Sequence, residues 1–307
     1  MSKYDINKNI KLGICPIGWR NDDIPSIGAE NTFPQLLSDA ALAGFKGVEV
    51  GGFFPEANEI NYERKLRNIE IAGQWFSSFI IRDGIDQAAA DFEEHCKNLQ
   101  ALGAHIATVS EQTYSIQQTS KNIFKDKPYF TDQEWEEVCE GLNKYGEIGK
   151  KYGVKVAYHH HLGTGIQTFE ETKRLMDNTD PEKVNLVFDT GHAYVAEGDV
   201  MPMLNAFVER VVHVHFKDVR KDKENDSRAR GLSFQDSFMN DMFTVPGDGS
   251  IDFRPVFKTL ADHKYTGWIM VEAEQDPKKH NPFEMAVKAH EYMENELFMP
   301  YEKKNLN

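Results

Sequence analysis

Residues Gly153–Gly165 read G-V-K-V-A-Y-H-H-H-L-G-T-G. A glycine turn leads into an apolar, β-branched run, so Val154–His159 is expected to be a short buried strand. Upstream, Thr131–Tyr152 has the period of a long helix, with Thr131 and Glu134 in capping-box spacing and Gly153 as its stop. Downstream, Thr168–Asp177 opens on T-F-E-E, a second capping box. The local order is therefore helix, buried strand, polar loop, helix. Side chains alternate faces along a strand, so His159 and His161 face one way and His160 the other.

The same unit recurs in both directions. Strands are expected at Ile10–Pro16, Gly47–Val50, Ile71–Phe79, His105–Val109, Val184–Phe188, Val211–His215 and Trp268–Val271. Helices are expected at Thr32–Ala43, Glu63–Ile69, Asp86–Leu102, Met201–Glu209, Phe253–His263 and Pro282–Phe298. Alternating strands and helices imply a parallel sheet. Eight units in 307 residues predict a single-domain (β/α)8 barrel over residues 1–307, with a longer loop at about 218–250 after the seventh strand. A doubly wound open sheet is the runner-up; its glycine fingerprint is missing, because I-C-P-I-G-W-R follows the first strand.

Composition narrows the function. No run approaches the ~18 apolar residues of a membrane helix, the N-terminus lacks an apolar signal core, and mean hydropathy is -0.56. Three cysteines without C-x-x-C spacing suit free thiols in a reducing cytoplasm. A net charge of -14 disfavours a nucleic-acid partner. The nearest basic cluster, Val219–Arg230, is interleaved with acids and reads as a solvated loop.

Catalytic groups of such barrels sit at the C-terminal strand ends. Those ends carry Glu49 on strand two, His159 and His161 on five, Asp189 and His192 on six, His213, His215, Lys217 and Asp218 on seven, and Glu272 and Glu274 on eight. Each has an ordinary reading alone: a strand-end histidine is commonly a satisfied core residue, Asp189 can cap a turn, and Glu49 can orient a loop. His160 is assigned to the opposite face, and Asp22 and Asp23 to a solvated loop. The joint occurrence on consecutive strands changes the odds. So many unpaired ionisable groups at one rim cost several kcal/mol each. A divalent cation held by His159, Asp189, His215 and Glu272 removes that cost. Such a nitrogen and oxygen donor set suits manganese, cobalt, iron or zinc better than magnesium or calcium. Lys217 and His161 lie two residues beyond proposed ligands and are read as proton-transfer groups.

The motifs D-T-G-H, H-V-H-F-K-D and the strand-eight glutamate resemble the xylose isomerase-like sugar isomerase/epimerase barrels. Within that superfamily, G-I-C-P-I-G-W-R-N-D-D-I-P, A-G-F-K-G-V-E-V-G-G-F-F-P and Y-H-H-H-L-G-T-G-I-Q-T are similar to the inosose dehydratase family. The resemblance implies a hydro-lyase of inositol catabolism. Its substrate would be the keto-polyol 2-keto-myo-inositol, converted to a trihydroxycyclohexanedione and water. It implies manganese or cobalt, with zinc, iron and magnesium as further candidates, and it adds glutathione, for which no residues speak. It carries the ligand places onto His159, Asp189, His215 and Glu272 and proton transfer onto Lys217. His161 or Lys217 then takes the α proton and the other protonates the departing hydroxyl. Trp19, Arg20 and Asn21 would meet the polyol ring, with Glu49 and His192 on its hydroxyls. The alternative is a keto-sugar isomerase or epimerase with the same metal. A homo-oligomer is open on the sequence.

Overall fold

In the computed structural model, which describes residues 5–305, eight parallel strands close on themselves. They are β1 (Ile10–Ile14), β2 (Gly47–Val50), β3 (Glu70–Ser78), β4 (Ile106–Glu111), β5 (Lys155–His159), β6 (Val184–Asp189), β7 (Val211–Phe216) and β8 (Gly267–Val271). Each strand pairs with its successor, and β8 pairs with β1 through Ile10–Gly267 to Ile14–Val271. This is the (β/α)8 barrel that the alternating pattern predicts. The strands are apolar on both faces because helices cover the outside and side chains fill the inside.

Local signals set the helix ends. Thr131 and Thr168 each accept from the backbone N–H three residues on, and Glu134 and Glu171 close both capping boxes. Gly103 and Gly153 end their helices in the left-handed region, where a side chain would strain the backbone. The lower barrel is plugged. A Cβ on Gly13 would lie 2.5 Å from the Met270 sulfur, and one on Gly47 2.5 Å from the Trp268 ring. Close packing there leaves the C-terminal end as the place for a cavity.

The stretch after β7 differs from the expected loop. Val219–Arg230 is not a solvated loop: Lys221–Arg230 is a helix, followed by a second at Phe234–Met239. Asp218–Val219 and Phe243–Thr244 pair antiparallel at the root of the excursion. Asp218 ties that root. Its two oxygens accept backbone N–H bonds from Val219, Gly247, Gly249, Ser250 and Ile251 at 2.8–3.2 Å. Among the described residues, no helix is long and apolar enough to cross a membrane. All three cysteines are free and buried.

Candidate active site

Four strands deliver one polar group each to one point. In the register, Asp189 stands beside His215, and His159 beside Val187. Glu272 is the first residue past β8. One ligand atom from each of His159, Asp189, His215 and Glu272 lies within 4.8 Å of all the others, and all four residues are buried. His159 donates Nδ1–H to the His160 carbonyl at 2.9 Å, which turns its Nε2 toward His215 Nδ1 at 3.2 Å. Asp189 Oδ2 is 3.6 Å from His159 Nε2 and 3.7 Å from His215 Nδ1, without a hydrogen-bond partner. An orphaned buried carboxylate oxygen beside imidazole nitrogens is costly. A divalent cation satisfies it, and this N2O2 donor set fits one of the first transition row or zinc.

The D-T-G-H motif serves this cluster residue by residue. Asp189 Oδ1 accepts the His192 N–H at 2.8 Å and caps the helix Thr190–Glu197, which leaves Oδ2 for the cluster. The ordinary and the functional reading of Asp189 thus hold together. Thr190 Oγ1 donates to the Lys217 carbonyl at 2.8 Å and accepts the Lys217 N–H at 3.0 Å. A Cβ on Gly191 would sit 2.6 Å from Lys217 Cγ, so glycine makes room for the lysine stem. His192 Nε2 stands 3.0 Å from Lys217 Nζ.

Lys217 is fully buried. Its ammonium lies 2.9 Å from both Glu272 Oε1 and Glu274 Oε2, and 3.7 Å from Asp189 Oδ2. Burial alone would lower its pKa; the carboxylates of Glu272, Glu274 and Asp189 outweigh that and raise it above the ordinary lysine value. Burial pushes the Glu274 carboxyl up to about 7, with Lys217 opposing and Glu272 adding to the rise. His161 and His192 are pushed well below the usual histidine value, first by burial and then by positive neighbours. His161 donates Nδ1–H to the Leu162 carbonyl at 2.9 Å, with the Gln117 amide 2.7 Å away.

Above the cluster opens a cavity of about 290 Å³. His159, His161, His215, Glu272 and Glu274 line one side, and Trp75, Ser77, Gln112, Gln117 and Phe234 much of the rest. Trp75 and Ser77 alternate inward along β3, and the Trp75 ring meets His159 and His161 edge-on at 5.5 and 5.9 Å. Phe234, from the excursion after β7, packs on the His161 ring at 5.4 Å. Among the described residues, no lysine or arginine lines the cavity.

Several expected contacts fall elsewhere. Trp19 does not reach the cavity. A short 3-10 turn at Pro16–Gly18 swings it into the core, 1% exposed, where its Nε1–H donates to Asp39 at 2.9 Å. Asn21 is also turned away, with its Oδ1 holding the backbone N–H groups of Asp23 and Ile24. Arg20 lies over the Phe53 ring, 5.2 Å from its centroid. The cavity takes instead Asp22 and Asp23 from this segment, which were expected in a solvated loop. His192 stands behind His161, with ring centroids 3.7 Å apart, and does not line the cavity. Glu49 borders the cavity but binds imidazoles: its Oε1 accepts from His213 Nε2 at 2.6 Å and His215 Nε2 at 3.0 Å. Burial would raise its pKa, yet His215 and His213 hold it well below the usual carboxylate range. His160 faces outward as expected, with its Nε2 accepting the Asp189 N–H at 3.4 Å. Trp75, Gln117, Phe234 and the role of Glu274 escape the sequence reading. Strand alternation around Trp75 is the one signal that points to any of them.

Comparison with known proteins follows the same lines. The family described as xylose isomerase-like TIM barrel matches residues 37–296. The chain is 66% identical to an inosose dehydratase of Lactiplantibacillus plantarum, over 94% of this chain and 97% of that one. It is 58% identical to an inosose dehydratase of Salmonella typhimurium, over 96% of this chain and 98% of that one. A solved sugar phosphate isomerase/epimerase from Parabacteroides distasonis is 18% identical, covers 93% of each chain and superposes with a TM-score of 0.67, a likeness of fold.

Proposed function

The chain belongs to the xylose isomerase-like TIM-barrel family and, within it, to the inosose dehydratases, and from that premise we propose that it is a hydro-lyase that dehydrates 2-keto-myo-inositol with a divalent cation at His159, Asp189, His215 and Glu272. The observation that carries this reading is a buried lysine against the cluster: Lys217 Nζ is 2.9 Å from Glu272. Loss of water β to a ketone needs an α proton removed and a β hydroxyl protonated as it leaves. The C–H bond breaks, a C=C bond forms, and the C–O bond releases water; tautomerisation of the enol then gives the dione. A cation bound there supplies Lewis-acid stabilisation of the negative charge that builds on the ketone oxygen.

The chain's own groups supply the protons. His161 borders the cavity and is neutral, and its Nδ1–H is spent on Leu162, so Nε2 is the base. Lys217 holds its proton at Nζ. Glu274 touches that ammonium and lines the cavity, so it links the buried donor to the leaving hydroxyl. The structure thus favours His161 as base and Lys217 as acid, an assignment the sequence leaves open. The cavity wall suits an uncharged polyol. Carboxylates, carboxamides and hydroxyls offer partners to ring hydroxyls, while no lysine or arginine among the lining residues offers a phosphate a partner. Trp75, in place of Trp19, is the aromatic face for the ring.

The test is an activity assay on metal-stripped protein. The absorbance of the enedione is followed with 2-keto-myo-inositol and manganese, cobalt, zinc or no metal, with and without glutathione. Growth of the chromophore only with metal, and its loss in Lys217→Ala, is the expected result. Metal binding without chromophore would move the assignment to the epimerase reading, since an epimer keeps its water. The thiol-free arm decides whether glutathione has any part.

A further inference from the structure

Glu49 reaches the cluster from β2, separated from β7 on the shorter side of the barrel by two strands, β1 and β8. The pairing of β2 with β3 shifts register between Val48 and Glu49, an irregularity of the kind that re-aims a side chain. The carboxylate ends up inside the barrel against His213 and His215, which lie two residues apart on one face of β7. Both imidazoles donate Nε2–H to the same oxygen, at 2.6 and 3.0 Å. The other oxygen is 3.5 Å from the Cys15 thiol. Both oxygens are therefore engaged by the protein.

A neutral imidazole has one N–H. His215 Nδ1 meets Glu272 Oε2 and faces His159 Nε2 and Asp189 Oδ2. Against burial, the Glu49 and Glu272 carboxylates on its two nitrogens hold its pKa well above the usual histidine value, and when it binds a cation through Nδ1 the proton on Nε2 stays with Glu49. His213 offers no atom to the cluster; it steadies Glu49 from below. We propose that Glu49 is a positioning residue, which fixes the tautomer and ring orientation of His215 and so sets the affinity of the four-residue site for a divalent cation. Substrate hydroxyls are not its partners. This inference rests on the divalent-cation reading of the cluster. Carboxylates that hold a ligating histidine by its other nitrogen tune metal sites in this way.

The experiment is calorimetric titration of metal-stripped protein with Mn²⁺, native against Glu49→Gln, a variant of the same shape. We expect affinity to fall roughly 10–100-fold, with the melting temperature of the metal-free protein little changed. Glu49→Asp keeps the charge but shortens the reach, and is expected to fall between the two; it serves if the glutamine variant folds poorly. Imidazole ¹⁵N spectra give a readout that a purely structural role leaves unmoved: a His215 Nε2–H signal held by the Glu49 carboxylate in the native protein, shifted or broadened by exchange in Glu49→Gln. At saturating Mn²⁺ the KM of Glu49→Gln is expected to match native. Native-like metal affinity in a folded Glu49→Gln overturns the inference alone. So does a raised KM with unchanged metal affinity, which would make Glu49 a substrate contact. A native protein that binds no Mn²⁺ removes the metal reading and this inference together.

Discussion

The two halves of the barrel rim are built differently. The half from β5 to β8 carries the four clustered ligands, Lys217 and both histidines behind it, on rigid strand ends locked by backbone hydrogen bonds. The half from β1 to β4 carries walls: Asp22 and Asp23, Trp75 and Ser77, Gln112 and Gln117, largely from loops and from the outer end of one long strand. Glu49 is the exception, a β2 residue that works for β7. The difference suggests a division of labour. Groups that move charge sit where geometry is fixed, and groups that recognise a ring sit where sequence can change without disturbing them.

This comparison can be broken. Its largest expected effect is at the cluster. Asp189→Asn keeps the helix cap through its remaining oxygen and removes the charge; we expect loss of bound metal and a fall in kcat of at least ~1,000-fold. Retained metal and activity, measured by elemental analysis and turnover, would remove Asp189 from the cation site. Gly191→Ala comes next. Its Cβ would press on the lysine stem at 2.6 Å, so we expect a stability loss of about 1–3 kcal/mol and a lower kcat with KM near native. Denaturant unfolding and steady-state kinetics check both.

The other half is expected to respond in KM. Trp75→Ala removes the aromatic wall, and KM is expected to rise about 10-fold or less, with a smaller change in kcat. A collapse of kcat without a KM change would show that β3 takes part in the chemistry and would erase the division. The smallest effect belongs to Trp19→Phe. It loses the hydrogen bond to Asp39, worth about 1 kcal/mol of unfolding free energy, and leaves KM untouched. A raised KM there would return Trp19 to the ring contact expected from its place in the sequence.

The halves also differ in what a reader of the sequence sees. Histidine, aspartate and glutamate at the ends of apolar strands are out of place in a core, so His159, Asp189, His215 and Glu272 declare themselves, and their spacing along β5 to β8 brings them to one rim. The (β/α)8 order is equally plain, because capping boxes at Thr131 and Thr168 and glycines at 103 and 153 punctuate it. Trp75 and Gln117 are ordinary residues in ordinary places, and their meaning depends on which way a barrel wall faces. Trp19 misleads because direction after a strand is set by a turn, and the 3-10 turn at Pro16–Gly18 carries the indole away from the cavity and into the core. Glu49 shows the strand pattern but not its partner, since β2 and β7 meet only across the closed barrel. The helix of 221–230 hides in a charged stretch that has no apolar stripe to announce it, and the one of 234–239 is too short for its two phenylalanines to set a period.

Asp218 has a consequence for how the molecule can change. By gathering five amide hydrogens from both ends of the segment that leaves β7 and returns before the next barrel helix, it knots the two stems together. Everything between the stems hangs from one fixed root, and the closure entropy of a longer or shorter insert grows only slowly with its length. Phe234, which rests on the His161 ring, rides on that segment. New substrate shapes are therefore open to this scaffold by changes around Phe234, with Phe243 at the root still packed over Lys217.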